Sequence, residues 1–231
     1  MFTRRTFFAL SSAAVLAGTL PARSLAAAKT QHVDLKKNID LEKALAAIED
    51  KIDGRLGVDV SDPVTGVNAA PRGDERFSVC STYKLLAVPA VLHRVDEGEG
   101  MLSHEISRSL GMRSSPMPPV TEKHTGGTMT LSDLCAANMI WSDNSAADLI
   151  LESVGGPEAA TEYVRSLGDN VTRIDRMAPE ANIFGPGEIR DTTTPTAMLG
   201  NLKTLFRGNT LSPLSRDRLT EWFLANETGK N

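Results

Sequence analysis

The chain is poor in aromatics, cysteine and histidine. Phe, Trp and Tyr together make up 5% of its 231 residues, with only 2 Cys and 4 His. Cys80 and Cys135 lie far apart and form no C-x-x-C, which excludes a disulfide scaffold and a cysteine zinc site. The histidines do not cluster and there is no H-E-x-x-H, so no metal and no cofactor is expected. Basic charge is not in surplus: 25 Lys+Arg against 29 Asp+Glu give a net charge of −4. No basic stripe carries interleaved aromatics, which argues against a nucleic-acid partner. Past the N-terminus no stretch approaches the ~18 consecutive apolar residues that a membrane span needs, so no stable membrane anchor is expected.

The first 28 residues read as an address. Thr3-Arg4-Arg5-Thr6-Phe7-Phe8 is a charged opening, Ala9 to Leu20 an apolar stretch, and Ala26-Ala27-Ala28 a small-residue cleavage site. Paired arginines before two phenylalanines resemble a twin-arginine export signal, which a receptor reads. The mature chain is then expected in the periplasm, where a disulfide is permitted but not required.

From there the pattern is mostly helical. Leu41, Leu45, Ile48 and Ile52 recur at helical steps and predict an amphipathic helix over Asp40 to Ile52. Leu56, Val58 and Val60 alternate as a strand, Asp62 to Gly66 is a turn, and Val67 to Ala70 the returning strand. An apolar helix over Thr82 to Val95 contains Pro89, where a kink is expected. Thr130 is a helix cap with Asp133 behind it, and a further helix covers Ser145 to Val154 and stops at Gly155-Gly156. Pro157 opens another helix, and Thr194-Pro195 and Ser212-Pro213 are cap-then-proline starts. About seven helices accompany only two convincing strands, and a lone hairpin is marginal in water.

Two motifs carry chemistry. Ser81-Thr82-Tyr83-Lys84 puts a hydroxyl and an amine on one helical face, where a desolvated lysine can accept a proton from the serine. Composition alone yields about 0.7 such pairs, so by itself this reads as a capping serine near a surface lysine. Ser142-Asp143-Asn144 is rarer, with a chance expectation of roughly 0.05. It sits between two predicted helices, where the same residues also serve as caps.

Together, in this order, the two motifs resemble the class A serine β-lactamases. Further segments resemble the family's conserved stretches: Phe77 to Lys84, Pro119-Val120-Thr121-Glu122-Lys123-His124, and Asp175-Arg176 through Arg190 to Pro195, its Ω-loop. The resemblance implies an α/β (α+β) fold of the β-lactamase and penicillin-binding type, a helical domain with an incomplete antiparallel sheet. It divides the chain into a signal (1–28), an N-terminal helix with the first two strands (29–72), a helical domain (73–225) and a short end (226–231). It implies that Ser81 attacks the lactam carbonyl and holds the acyl group. Lys84 helps take the serine proton, and Ser142 relays a proton to the leaving nitrogen. Asn144 hydrogen-bonds the substrate's amide, and Asn182 and Met117 complete the substrate-binding set. The partner would be a β-lactam antibiotic, and a monomer is expected. Arg176 and Asp191 would close the neck of the Ω-loop as an ion pair.

The sequence departs from the family pattern in ways that matter. The Ω-loop reads Arg176-Met177-Ala178-Pro179-Glu180-Ala181-Asn182. Counting back four from Asn182 places Ala178, a methyl group, where the family carries the glutamate that hydrolyses the acyl-enzyme. Glu180, two residues on, is expected to point elsewhere. The family's third motif, Lys-Thr-Gly on a later strand, is not met, and Thr228-Gly229-Lys230 has the letters in another order. An exposed sheet edge and poor autonomous stability are therefore expected. Met117 replaces a frequent aromatic at the cleft mouth. Asp148 replaces an asparagine that steadies the Ω-loop, which puts that support in doubt. Cys80, next to the nucleophile, is expected to be a buried free thiol. A disulfide to a cysteine outside this sequence, or to Cys135, is the alternative. An acyl-trapping β-lactam binder, a peptidoglycan DD-peptidase and an inactive fragment stand as competing functions.

Overall fold

A computed structural model describes residues 35–107, 119–124 and 126–228; the signal-like N-terminus and Met117 lie outside the described residues. The described residues form one compact unit. Its elements run α1 (Leu35–Glu49), β1 (Val60–Asp62), β2 (Val67–Ala69), β3 (Phe77–Ser78), α2 (Lys84–Asp96), β4 (Glu105–Ser107), β5 (Thr128–Thr130), α3 (Leu131–Trp141), α4 (Asn144–Val154), α5 (Gly156–Ser166), β6 (Thr192–Thr193), α6 (Pro195–Arg207) and α7 (Pro213–Leu224). Short 3-10 turns cover Cys80–Tyr83, Thr121–His124 and Glu180–Asn182.

α2 is the axis of the core. It is apolar on every side, as a helix enclosed by others must be. Leu86, Ala87, Val88, Ala90, Val91 and Leu92 are all buried, as is Pro89 inside the helix. α3, α4, α5 and α7 pack around it. Leu134, Ile150, Leu151, Val164 and Leu219 are fully buried from those four helices. Each such side chain contributes about 1.5–3 kcal/mol by leaving water. The caps fall where the sequence placed them. Thr130 Oγ1 accepts from Asp133 N at 3.1 Å, Thr194 Oγ1 from Ala197 N at 3.1 Å, and Ser212 Oγ from Ser215 N at 3.2 Å. Gly155, at φ 106°, ends α4 in the left-handed region that glycine tolerates.

The sheet portion differs from expectation in number and place. Six strands of two or three residues form three antiparallel pairs: β1 with β2, β3 with β6, and β4 with β5. The β3–β6 and β4–β5 pairs join short segments that lie apart in the chain, with no alternating run to announce them. The first strand starts at Val60 rather than Leu56, although Val58 N still donates to Pro71 O at 3.0 Å beyond the ladder. The turn at Asp62 forms as expected, its Oδ1 accepting from Val64 N at 2.8 Å.

α1 also starts and stops earlier than its apolar stripe predicts, at Leu35 and Glu49. Ile48 and Ile52 are 49% and 45% exposed, and Leu41 and Leu45 only half-buried. The stripe is present, but the described residues supply little to cover it. α1 is held by β2, where Asn68 N donates to Asn38 Oδ1 at 3.0 Å.

Candidate active site

Ser81 sits in the 3-10 turn Cys80–Tyr83, and Lys84 is the first residue of α2. Three-residue spacing eclipses side chains in a 3-10 turn, so serine and lysine share a face. Their environments are opposite: Ser81 is exposed, Lys84 only 3% exposed. Ser81 Oγ makes no hydrogen bond among the described residues. Lys84 Nζ donates instead to Ser142 O at 2.6 Å, Ser142 Oγ at 2.9 Å and Asn144 Oδ1 at 2.5 Å. The two sequence motifs thus meet at one ammonium. Burial pushes the Lys84 pKa down to about 8, partly opposed by the negative charges of Asp143 and Asp148.

The middle residue of the second motif builds the scaffold. Asp143 is fully buried and caps α4, its Oδ1 accepting from Ala146 N at 2.9 Å. The same carboxylate accepts from Val120 N at 3.0 Å, Thr121 N at 2.8 Å and Thr121 Oγ1 at 2.9 Å. It staples the segment around Thr121 to the α3–α4 junction and so fixes Ser142 and Asn144 on either side. Asp143 takes the capping role, while Ser142 and Asn144 hold the Lys84 ammonium.

The Ω-loop is tied to the nucleophile turn through its neck. Arg176 Nε meets the fully buried Asp191 Oδ2 at 2.5 Å, the expected ion pair. Asp191 Oδ1 also accepts from Asp175 N at 2.8 Å and Arg176 N at 3.0 Å. Its backbone carbonyl accepts from Val79 N at 2.8 Å, extending the β3–β6 pair to within two residues of Ser81. Cys80, Ser142 and Asp191 all have positive φ, at 41°, 55° and 51°. Left-handed backbone at non-glycine residues costs about 1–3 kcal/mol each, and such strain concentrates at sites that must be aimed.

Several expectations need correction here. Cys80 is exposed rather than buried, because its turn directs the flanking Val79 and Tyr83 inward; both cysteines are free, with no Cys80–Cys135 bond. Asn182 is exposed at the end of its 3-10 turn, which leaves its expected contact with substrate open to it. Asp148 does support the Ω-loop: its Oδ1 accepts from Ala178 N at 3.2 Å, a role a carboxylate oxygen fills as well as an amide oxygen. Ala178 is 4% exposed, and the Ala178–Pro179 peptide is cis. The hydroxyl of Tyr83 carried no mark in the sequence beyond its place within the Ser-x-x-Lys motif; the residue is buried and its oxygen has no hydrogen-bond partner among the described residues.

An exposed serine beside a buried, clamped lysine is the equipment of an acyl-transfer enzyme. The family model described as the β-lactamase enzyme family matches residues 40–230. The chain belongs to that family. It is 40% identical to β-lactamase L2 of Stenotrophomonas maltophilia over 99% of its length, covering 76% of that protein. It is 40% identical to β-lactamase CTX-M-8 of Citrobacter amalonaticus over 82% of its length, covering 65% of that protein. Among solved structures, an ancestral class A β-lactamase matches with a TM-score of 0.79 at 51% identity, over 82% of this chain and 72% of that one. A β-lactamase from Xanthomonas campestris matches with a TM-score of 0.80 at 43% identity, over 83% and 71%. The fold and family are those of a class A serine β-lactamase.

Proposed function

We propose that this chain opens β-lactam rings through an acyl-enzyme on Ser81 and releases the product slowly. The observation that carries this is the three-way clamp on Lys84 by Ser142 and Asn144, which joins the two motifs at a lysine with a depressed pKa. With one proton gone, Lys84 can accept the Ser81 proton as Oγ attacks the lactam carbonyl carbon. The ring C–N bond breaks as the tetrahedral centre collapses. The proton reaches the leaving nitrogen through Ser142 Oγ, 2.9 Å from Nζ. Asn144 orients the substrate amide, and the backbone N–H of Ser81 is one oxyanion donor. Asn182 and Met117 belong to the outer substrate contacts. No metal or cofactor enters the scheme, and the protein acts as a monomer in antibiotic resistance.

Release is slow because Ala178 places a methyl group in the Ω-loop where the family has its hydrolytic carboxylate. Loss of a base at that Ω-loop position costs about 10²–10⁴-fold in rate. Residues 1–28 act as a twin-arginine-type export signal that delivers the enzyme to the periplasm. Among the described residues no helix is long and apolar enough to cross a membrane.

The Ala178 methyl also favours a second reading, a binder that acylates and stays loaded. A chromogenic cephalosporin assay with intact-mass measurement separates the two. Turnover with a transient adduct supports the hydrolase, and a permanent adduct without turnover supports the binder. Neither signal marks an inactive chain and refutes both.

A further inference from the structure

The Ω-loop lacks a carboxylate at Ala178, yet a carboxylate lies against that residue. Asp148 reaches it from α4, its Oδ1 3.2 Å from Ala178 N. Asn144 and Asp148 are four residues apart and share a face of α4. Asn144 holds Lys84, so the same face carries a carboxylate one turn beyond the lysine clamp. Asp148 has no ion pair and no second hydrogen bond among the described residues. The Tyr83 hydroxyl, buried and without a partner, feels the Asp148 charge as well. A buried hydroxyl and an under-bonded carboxylate are the polar partners that an ordered water needs.

We propose that Asp148 is the general base that hydrolyses the acyl-enzyme on Ser81, acting on a water held beside the Ala178 methyl. This rests on the acylation of Ser81 proposed above. The water oxygen attacks the ester carbonyl carbon while its proton passes to the Asp148 carboxylate. The C–Oγ bond then breaks, and the proton taken by Asp148 passes by way of Lys84 to Ser81 Oγ. The product leaves as the ring-opened acid, and Asp148 ends ionised as it began. Four groups face this carboxylate: Lys84 and Tyr83 from the nucleophile segment, Glu152 from its own helix, and Glu180 from the Ω-loop. Burial, above the other influences, raises the Asp148 pKa to about 6, within the range useful to a base near neutral pH.

The test is deacylation of the penicillin adduct, followed by intact mass after a chase that removes free drug. In the unmodified chain the rate should rise with pH through about 6 and then level off. Asp148→Asn keeps an oxygen to accept from Ala178 N. It should leave acylation within about 3-fold while slowing deacylation about 100-fold or more, with the pH step gone. Glu180→Gln should change neither. Variants that melt no lower than the parent guard against a folding explanation. The proposal is overturned if Asp148→Asn deacylates like the parent, or if Glu180→Gln takes the loss. It is also overturned if the parent rate is flat with pH, or climbs about tenfold per pH unit without a plateau, the mark of hydroxide attack. Absence of any adduct overturns the Ser81 chemistry itself, a distinct result.

Discussion

Replacing Asp143 by alanine should cost more stability than any substitution of the reacting groups. The fully buried carboxylate accepts from Ala146 N, Val120 N, Thr121 N and Thr121 Oγ1. Loss of the cap alone is worth about 1 kcal/mol. Hydrogen bonds to a charged group contribute about 1.5–3 kcal/mol each. Thr121 is 0% exposed, so its freed donors cannot turn to water. These effects share one carboxylate and do not add fully, which leaves about 4 kcal/mol as the expected loss. Against a total of about 5–15 kcal/mol, such a loss brings a domain close to unfolding. With a urea m-value of about 2 kcal/mol/M, the midpoint should fall by about 2 M in a denaturation series followed by circular dichroism. Asp143→Asn keeps one acceptor oxygen and should lose about half as much. A shift below about 0.5 M for the alanine variant would refute the stapling role.

Ser81→Ala removes an exposed hydroxyl that makes no hydrogen bond among the described residues, so stability should stay within about 0.5 kcal/mol while the penicillin adduct disappears from the mass spectrum. Acylation should rise with pH through about 8, the Lys84 pKa, because the neutral amine is the proton acceptor; stopped-flow acylation between pH 6 and 10 checks this. Asp148→Asn should raise the melting temperature at pH 7. The raised pKa means that ionising Asp148 in the folded state is unfavourable, a cost that grows as pH rises from about 4 through 6 and vanishes in acid, where the parent and variant should converge. Arg176→Ala breaks the partly buried pair with Asp191 and should open residues 176–191 to limited proteolysis while the helical signal persists.

Much of the site was legible because its signals are local. Caps at Thr130, Thr194 and Ser212, glycine at Gly155, and the two short motifs each depend on a few neighbouring residues. The Arg176–Asp191 neck followed from family likeness rather than from spacing. What stayed hidden depends on packing between distant segments. β3 and β6 are two residues each and exist only because they meet across more than a hundred positions. Cys80 looked like a core residue by type, yet a turn with φ 41° leaves it outside. The α1 stripe is real in sequence, but periodicity says nothing about whether a cover is present. Asp148 reads in sequence as a weakened support, and only the folded chain shows its carboxylate in contact with Ala178 N.

Peptide mapping of the protein after brief exposure to a penicillin tests the central chemistry most directly. The added mass, equal to one intact drug molecule, should sit on the peptide containing Ser81 and on no other. A chain that stays unlabelled there, or that carries the drug on another residue, would contradict the assignment of Ser81 as nucleophile.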